Sequence, residues 1–141
     1  MPDILHAILI DASPEAVYNA ITGEEGLKSW WTSDVKAEPT EGTVSVFGFY
    51  SHSVVFRMQI DELSKNKCVR WSCLGEDEEW KNTKLRFDLK LQDYKTMLSF
   101  SHTGWRSIQG CYAVCNTTWG HLMFLLKQYS EGKEAKPFFF D

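Results

Sequence analysis

Between Arg106 and Gly132, apolar or small residues recur at Ile108, Cys111, Cys115, Trp119, Leu122, Leu126 and Tyr129. The steps are threes and fours, so at about 100° per residue they form one stripe on a helix. Asn116, Lys127 and Gln128 fall on or near the opposite side. Gly132 suits a left-handed C-cap, Lys127 lies near the negative end of the helix dipole, and Pro137 opposes continuation. The spacing predicts one long helix over this stretch. Everything upstream reads as strands and two short helices. A helix with one apolar stripe must bury it, so this one needs a sheet to lie on.

The sheet is written in alternation. Ile4 to Ile10 is an apolar-rich first strand. Ser13, Pro14 and Glu15 then supply an N-cap, a first helical residue and an acid at the positive end of the dipole. Val17, Ala20 and Ile21 give that helix an inner face. Thr22-Gly23 interrupts it, and Glu24 and Glu25 open a second short helix ending near Trp30 and Trp31. After a turn at Pro39–Gly42, strands are predicted over Thr43–Tyr50, His52–Asp61, Lys67–Leu74, Thr83–Asp93 and Lys95–Thr103. In the fourth of these, Leu85, Phe87, Leu89 and Leu91 alternate with Lys84, Arg86, Asp88 and Lys90. One dry face and one wet face mark an antiparallel sheet. Phe47 and Phe49 share a face, as do Phe56 and Met58, and Leu98, Phe100 and His102. The loop Gly75–Asn82 carries four consecutive acids and reads as solvated; its spacing is not that of a cation site.

Composition narrows the function. The 141 residues suit a single domain over 1–141 that buries roughly 70% of its unfolded surface. Aromatics reach 14%, with six Trp and nine Phe, and that many rings need a thick core or a large apolar pocket. The net charge is −4 and no Lys/Arg cluster occurs, which argues against nucleic acid. No apolar run approaches the ~18 residues of a membrane span. The N-terminus lacks a basic region and a cleavage site, so the expected compartment is the cytoplasm. Cys68, Cys73, Cys111 and Cys115 lack zinc spacing and read as structural thiols, with no metal and no cofactor expected. No GxSxG, HExxH, P-loop or GxGxxG motif is present. Among the histidines, His102 stands in phase with Leu98 and Phe100, just before Gly104-Trp105. It reads either as a hydrogen-bonded strand-end histidine or as a polar anchor or base facing a cavity.

The order of elements and several motifs resemble the helix-grip fold of the START-like (SRPBCC) superfamily. The motifs are Ile10-Asp-Ala-Ser-Pro-Glu-Ala-Val-Tyr-Asn-Ala-Ile-Thr22, Trp30-Trp31, Trp80-x-x-Thr83-x-Leu-x-Phe87 and Ser101-His-Thr-Gly-Trp105. Trp119 with Leu125-Leu-Lys-Gln-Tyr-Ser-Glu-Gly132 completes the set, which spans nearly the whole chain. The closer likeness is to the AHSA-type branch, named after the activator of the ninety-kilodalton heat-shock protein's ATPase. The resemblance implies an α+β fold: a curved antiparallel sheet of six to seven strands wrapped around the C-terminal helix, with two short helices after the first strand. It further implies a site for lipids, polyketides or other apolar molecules between sheet and helix.

The expected function is binding of a small apolar or amphipathic molecule there, without catalysis and with no catalytic residue assigned. The expected lining is Trp30, Trp31, Phe47, Phe49, Phe56, Met58, Trp71, Phe87, Phe100, His102, Trp105, Cys115, Trp119 and Leu122. A cyclase- or hydrolase-like enzyme with His102 as base, and a co-chaperone-like interaction module, are the alternatives. A chaperone partner has no supporting motif. The tail Phe138-Phe-Phe140 is expected to pack on its own body; a second copy of the chain is its other acceptor. A sealed, empty cavity of about 300 Å³ would cost about 7 kcal/mol at about 24 cal/mol per Å³. Such a pocket must therefore be narrowed by rings, hydrated or filled.

Overall fold

The structure, a computed structural model, describes residues 2–75, 77 and 79–140. The elements are β1 (Ile4–Ile10), α1 (Pro14–Thr22), α2 (Glu24–Trp30), β2 (Asp34–Lys36), β3 (Val44–Phe49) and β4 (Val54–Ser64), followed by β5 (Cys68–Leu74), β6 (Lys84–Gln92), β7 (Lys95–Thr103) and α3 (Tyr112–Ser130). The strands form one seven-stranded sheet in the order β1-β7-β6-β5-β4-β3-β2, every neighbouring pair antiparallel. α3 packs against β1, α1 and α2. This is the helix-grip arrangement expected from the order of elements.

Local chemistry explains the boundaries. Ser13 Oγ accepts the Ala16 N–H at 3.1 Å, capping α1, with Pro14 in its first turn. α3 ends in a Schellman motif: Gly132 N–H donates to Tyr129 O and Lys133 N–H to Gln128 O, with Gly132 at φ +80°. A bulge in β4 between Ile60 and Glu62 shifts the register against β5. Such a shift bends a strand and deepens the sheet's twist.

Several boundaries differ from the expectation. α3 begins at Tyr112, not Arg106, because Gly110 turns the chain at φ +70° and Cys111 stands at the N-cap. Ile108 therefore lies outside the helix and is exposed. β4 begins at Val54, since Tyr50, Ser51 and His52 all occupy positive φ and form a turn rather than extended chain. β2 was not anticipated: three residues are too few to show a period. Leu91, in phase with the dry face of β6, is exposed beside the Asp93-Tyr94 turn.

The core lies between the sheet's concave face and α3. Its largest fully buried side chains include Trp30, Trp31, Trp71, Trp105, Trp119, Phe47, Phe87 and Phe100. Trp119 packs on Phe100 with ring centroids 4.3 Å apart and on Trp31 at 5.0 Å. The tail closes the same body: Phe139 N–H donates to Trp31 O, Ser33 N–H donates to Phe139 O, and Phe139 forms a parallel bridge with Thr32. Phe138 and Phe139 pack against the core, whereas Phe140 stays exposed.

Candidate functional site

The rings fill the middle of the space between sheet and helix. The remaining space lies at one end, beneath the N-terminal half of α3. It is a cleft of about 460 Å³, open to solvent rather than sealed. The cost of a dry closed void therefore does not apply to it. Its aromatic walls are Trp31, Phe49, Tyr50, Phe56, Trp80, Trp119, Phe138 and Phe139, with Val54, Val114 and Leu122 between them. Phe56 and Trp80 stack at 4.2 Å with ring planes 7° apart. Phe139 meets Phe49 edge-on at 4.9 Å.

Of the residues expected to line a pocket, Trp31, Phe49, Phe56, Cys115, Trp119 and Leu122 stand on this cleft. Trp30, Phe47, Met58, Trp71, Phe87, Phe100, His102 and Trp105 are buried in the core instead. For these eight the alternation identifies an inward face, but not which part of it the rings have filled. Sequence reasoning missed Tyr50, Val54, Asp77, Glu79, Trp80, Cys111, Val114, Thr118, Phe138 and Phe139 as cleft residues. Trp80 is the instructive one. It is buried although it belongs to the acidic loop, and a lone tryptophan in a run of acids was the available signal. Glu76 and Glu78 of that loop lie outside the described residues.

His102 is fully buried, with neighbours that fix its state. Trp119 Nε1 donates to its Nδ1 at 3.2 Å, and an indole nitrogen can only donate. The imidazole is thus neutral, with the proton on Nε2, which donates to Thr83 Oγ1 at 2.9 Å. Thr83 in turn donates to Trp80 O at 2.5 Å. Burial pushes the histidine pKa down to about 3. Trp80 and Trp105 flank it with centroids 4.6 and 4.7 Å away. His102 is therefore neither a cavity anchor nor a base within a ligand's reach. It ties α3, β7 and the loop before β6 together and sets Trp80 and Trp119, two walls of the cleft.

The polar groups of the cleft are few. Asp77 Oδ1 accepts the N–H groups of Glu79 and Trp80, folding the loop back on itself. Glu79 Oε1 accepts the Cys111 N–H at 2.9 Å. Gly110 permits that bond, because a Cβ there would stand 1.8 Å from the same oxygen. Hydrogen bonds from the Cys111 thiol and N–H hold the Glu79 carboxyl below the usual carboxylate range. Burial raises the Cys111 thiol, with the Glu79 hydrogen bond adding to it, and burial also raises Cys115. Both sulfurs are therefore protonated at neutral pH and are poor nucleophiles. Among the described residues the cleft holds no histidine, and no three His, Cys, Asp or Glu are grouped to hold a metal. The thiol–carboxylate contact of the cleft, Cys111 with Glu79, thus leaves the sulfur protonated.

A curved antiparallel sheet gripping a C-terminal helix, with an apolar cleft at one end, defines a helix-grip domain of the START-like kind. Residues 11–131 match the family described as activator of Hsp90 ATPase homolog 1-like protein, and the chain belongs to that family, within its AHSA-type branch. The solution structure of the Aha1 dimer from Colwellia psychrerythraea is 34% identical, with a TM-score of 0.85, over 93% of this chain and 97% of that one. Protein MLL2253 from Mesorhizobium loti is 18% identical with a TM-score of 0.79, over 90% of this chain and 95% of that one. CalU16 from Micromonospora echinospora is 18% identical with a TM-score of 0.74, over 96% of this chain and 77% of that one. At that identity these two share the fold. Among curated proteins, none matches the chain in sequence. No helix of the described residues is long and apolar enough to cross a membrane.

Proposed function

We propose that the protein binds a small apolar or amphipathic molecule in the cleft beneath α3, without transforming it. The observation that carries this reading is the cleft of about 460 Å³ walled by Trp31, Phe56, Trp80, Trp119 and Phe139. Ligand sites of small molecules occupy roughly 300–1,000 Å³ and are mainly apolar, with few polar groups. The four free cysteines suit a reducing compartment, and cytoplasmic function is part of the proposal. Catalysis by His102 is disfavoured, because both ring nitrogens are occupied inside the core.

A ligand that binds only the folded state stabilises it by RT ln(1 + [L]/Kd), about 2.7 kcal/mol at a hundredfold excess over Kd. A panel of flavonoids, polyketide-like aromatics and fatty acids should therefore contain compounds that raise the melting temperature. The same compounds should change tryptophan fluorescence, since Trp80 and Trp119 line the cleft. A panel that moves neither signal would sink the reading.

The Colwellia relative, an Aha1 dimer, favours a second reading in which this chain also pairs with itself. Val114, Phe124 and Phe140 are exposed apolar side chains open to such a contact. Sedimentation equilibrium decides between one copy and two. The family name carries the co-chaperone alternative. Stimulation of ATP hydrolysis by a ninety-kilodalton heat-shock protein is its test.

A further inference from the structure

We propose that the cleft selects organic cations: a protonated or quaternary amine carried on a flat apolar body. This rests on reading the cleft as a ligand site and adds a charge preference to it. Two independent features of the cleft agree. The first is its wall of aromatic rings, of which Tyr50, Phe56, Phe138 and Phe139 keep faces or edges partly exposed. The ring quadrupole places negative potential over those faces, which attracts an ammonium group and repels an anion.

The second feature is the sign of the charge at the rim. Among the described residues, the charged side chains lining the cleft are Asp77 and Glu79, both acids. The nearby cation Arg106 lines a second depression together with Glu79, Trp105, Ser107 and Gln109, and is not among the residues that line the cleft. Glu79 is also held in place. One carboxylate oxygen is fixed by the Cys111 N–H, in a space that only a glycine at position 110 leaves open. A carboxylate already fixed loses little freedom when it meets a cation. A fatty-acid anion would instead bring its own carboxylate against two of the same sign. An uncharged molecule would gain only the apolar contact.

A matched trio tests this: naphthylmethylamine, naphthylmethanol and naphthoate share one apolar body and carry positive, zero and negative charge at neutral pH. Isothermal titration calorimetry at low salt should rank them in that order. The amine should bind roughly tenfold more tightly than the alcohol, the size expected of a cation–π contact beside partly exposed carboxylates. The double variant Asp77→Asn with Glu79→Gln keeps the oxygens that accept the loop and Cys111 N–H groups. It should erase most of the amine's advantage over the alcohol. Equal binding of alcohol and amine, or tighter binding of naphthoate, would overturn the charge preference and leave the apolar cleft standing. An unaltered ranking in the double variant would overturn the role of the two acids. If none of the three binds, both the preference and the cleft reading fail.

Discussion

At the scale of single residues, His102 carries a prediction that follows from its burial. The unfolded chain binds a proton at this position below about pH 6.5, whereas the folded protein resists until about pH 3. As pH falls through that window, protons accumulate on the unfolded state alone. Stability is therefore full above pH 6.5 and declines by up to about 1.4 kcal/mol per pH unit below it. Glu131 acts lower. Hydrogen bonding from Lys127 holds its carboxyl at about 2, so its contribution is lost only as pH drops below about 4.5. Urea melts between about pH 6.5 and 4.5 thus read the histidine above the Glu131 window. His102→Gln should be less stable at neutral pH, having lost part of the relay to Trp119 and Thr83, yet flatter across the window. An equal slope in both proteins would show that His102 titrates freely. The sequence placed His102 on the inward face of β7, but its partners come from α3 and from a loop. No spacing along one strand could have revealed them.

At the scale of elements, two glycines separate conformation from space. Gly132, the left-handed residue of the α3 cap, has nothing within 4 Å of an added Cβ. Gly132→Ala should cost only the left-handed backbone, about 1–2 kcal/mol. Gly26 lies within α2, where alanine would ordinarily gain about 1 kcal/mol in helix propensity. Its Cβ would stand 2.6 Å from Ala20 O and 2.7 Å from Ala20 Cα, both backbone atoms of α1. Gly26→Ala should therefore be the more damaging of the two, forcing α1 and α2 apart. Chemical denaturation ranks them, and a stabilised Gly26→Ala would refute the close approach of the helices. Gly132 was legible as a cap because the apolar stripe ends just before it. Gly26 was not, since a glycine in a short helix does not announce what it touches. The start of α3 was misplaced for a similar reason: Ile108 continues the stripe numerically, and only the turn at Gly110 breaks it.

At the scale of the whole molecule, strand alternation, the two helices after β1 and the terminal stripe were enough to specify the sheet and the helix it grips. The cleft was only half legible. Periodicity tells which side chains point inward, not how far neighbouring rings close the gap between sheet and helix. Trp71, Phe87 and Phe100 are spent on closing it. The cleft that remains depends on long-range arrivals: Trp80 from the acidic loop, and Phe138 and Phe139 from the tail. Those contacts join segments that are remote in sequence. The central claim is that this cleft, and not the packed core or the outer sheet face, receives the ligand. Methyl-labelled NMR with a flat aromatic compound that raises the melting temperature tests it most directly. Ligand contacts are predicted at the methyls of Val54, Val114 and Leu122, which line the cleft, with the methyls of Val69 and Leu85 in the core untouched. Contacts absent from the first three and present elsewhere would contradict the account.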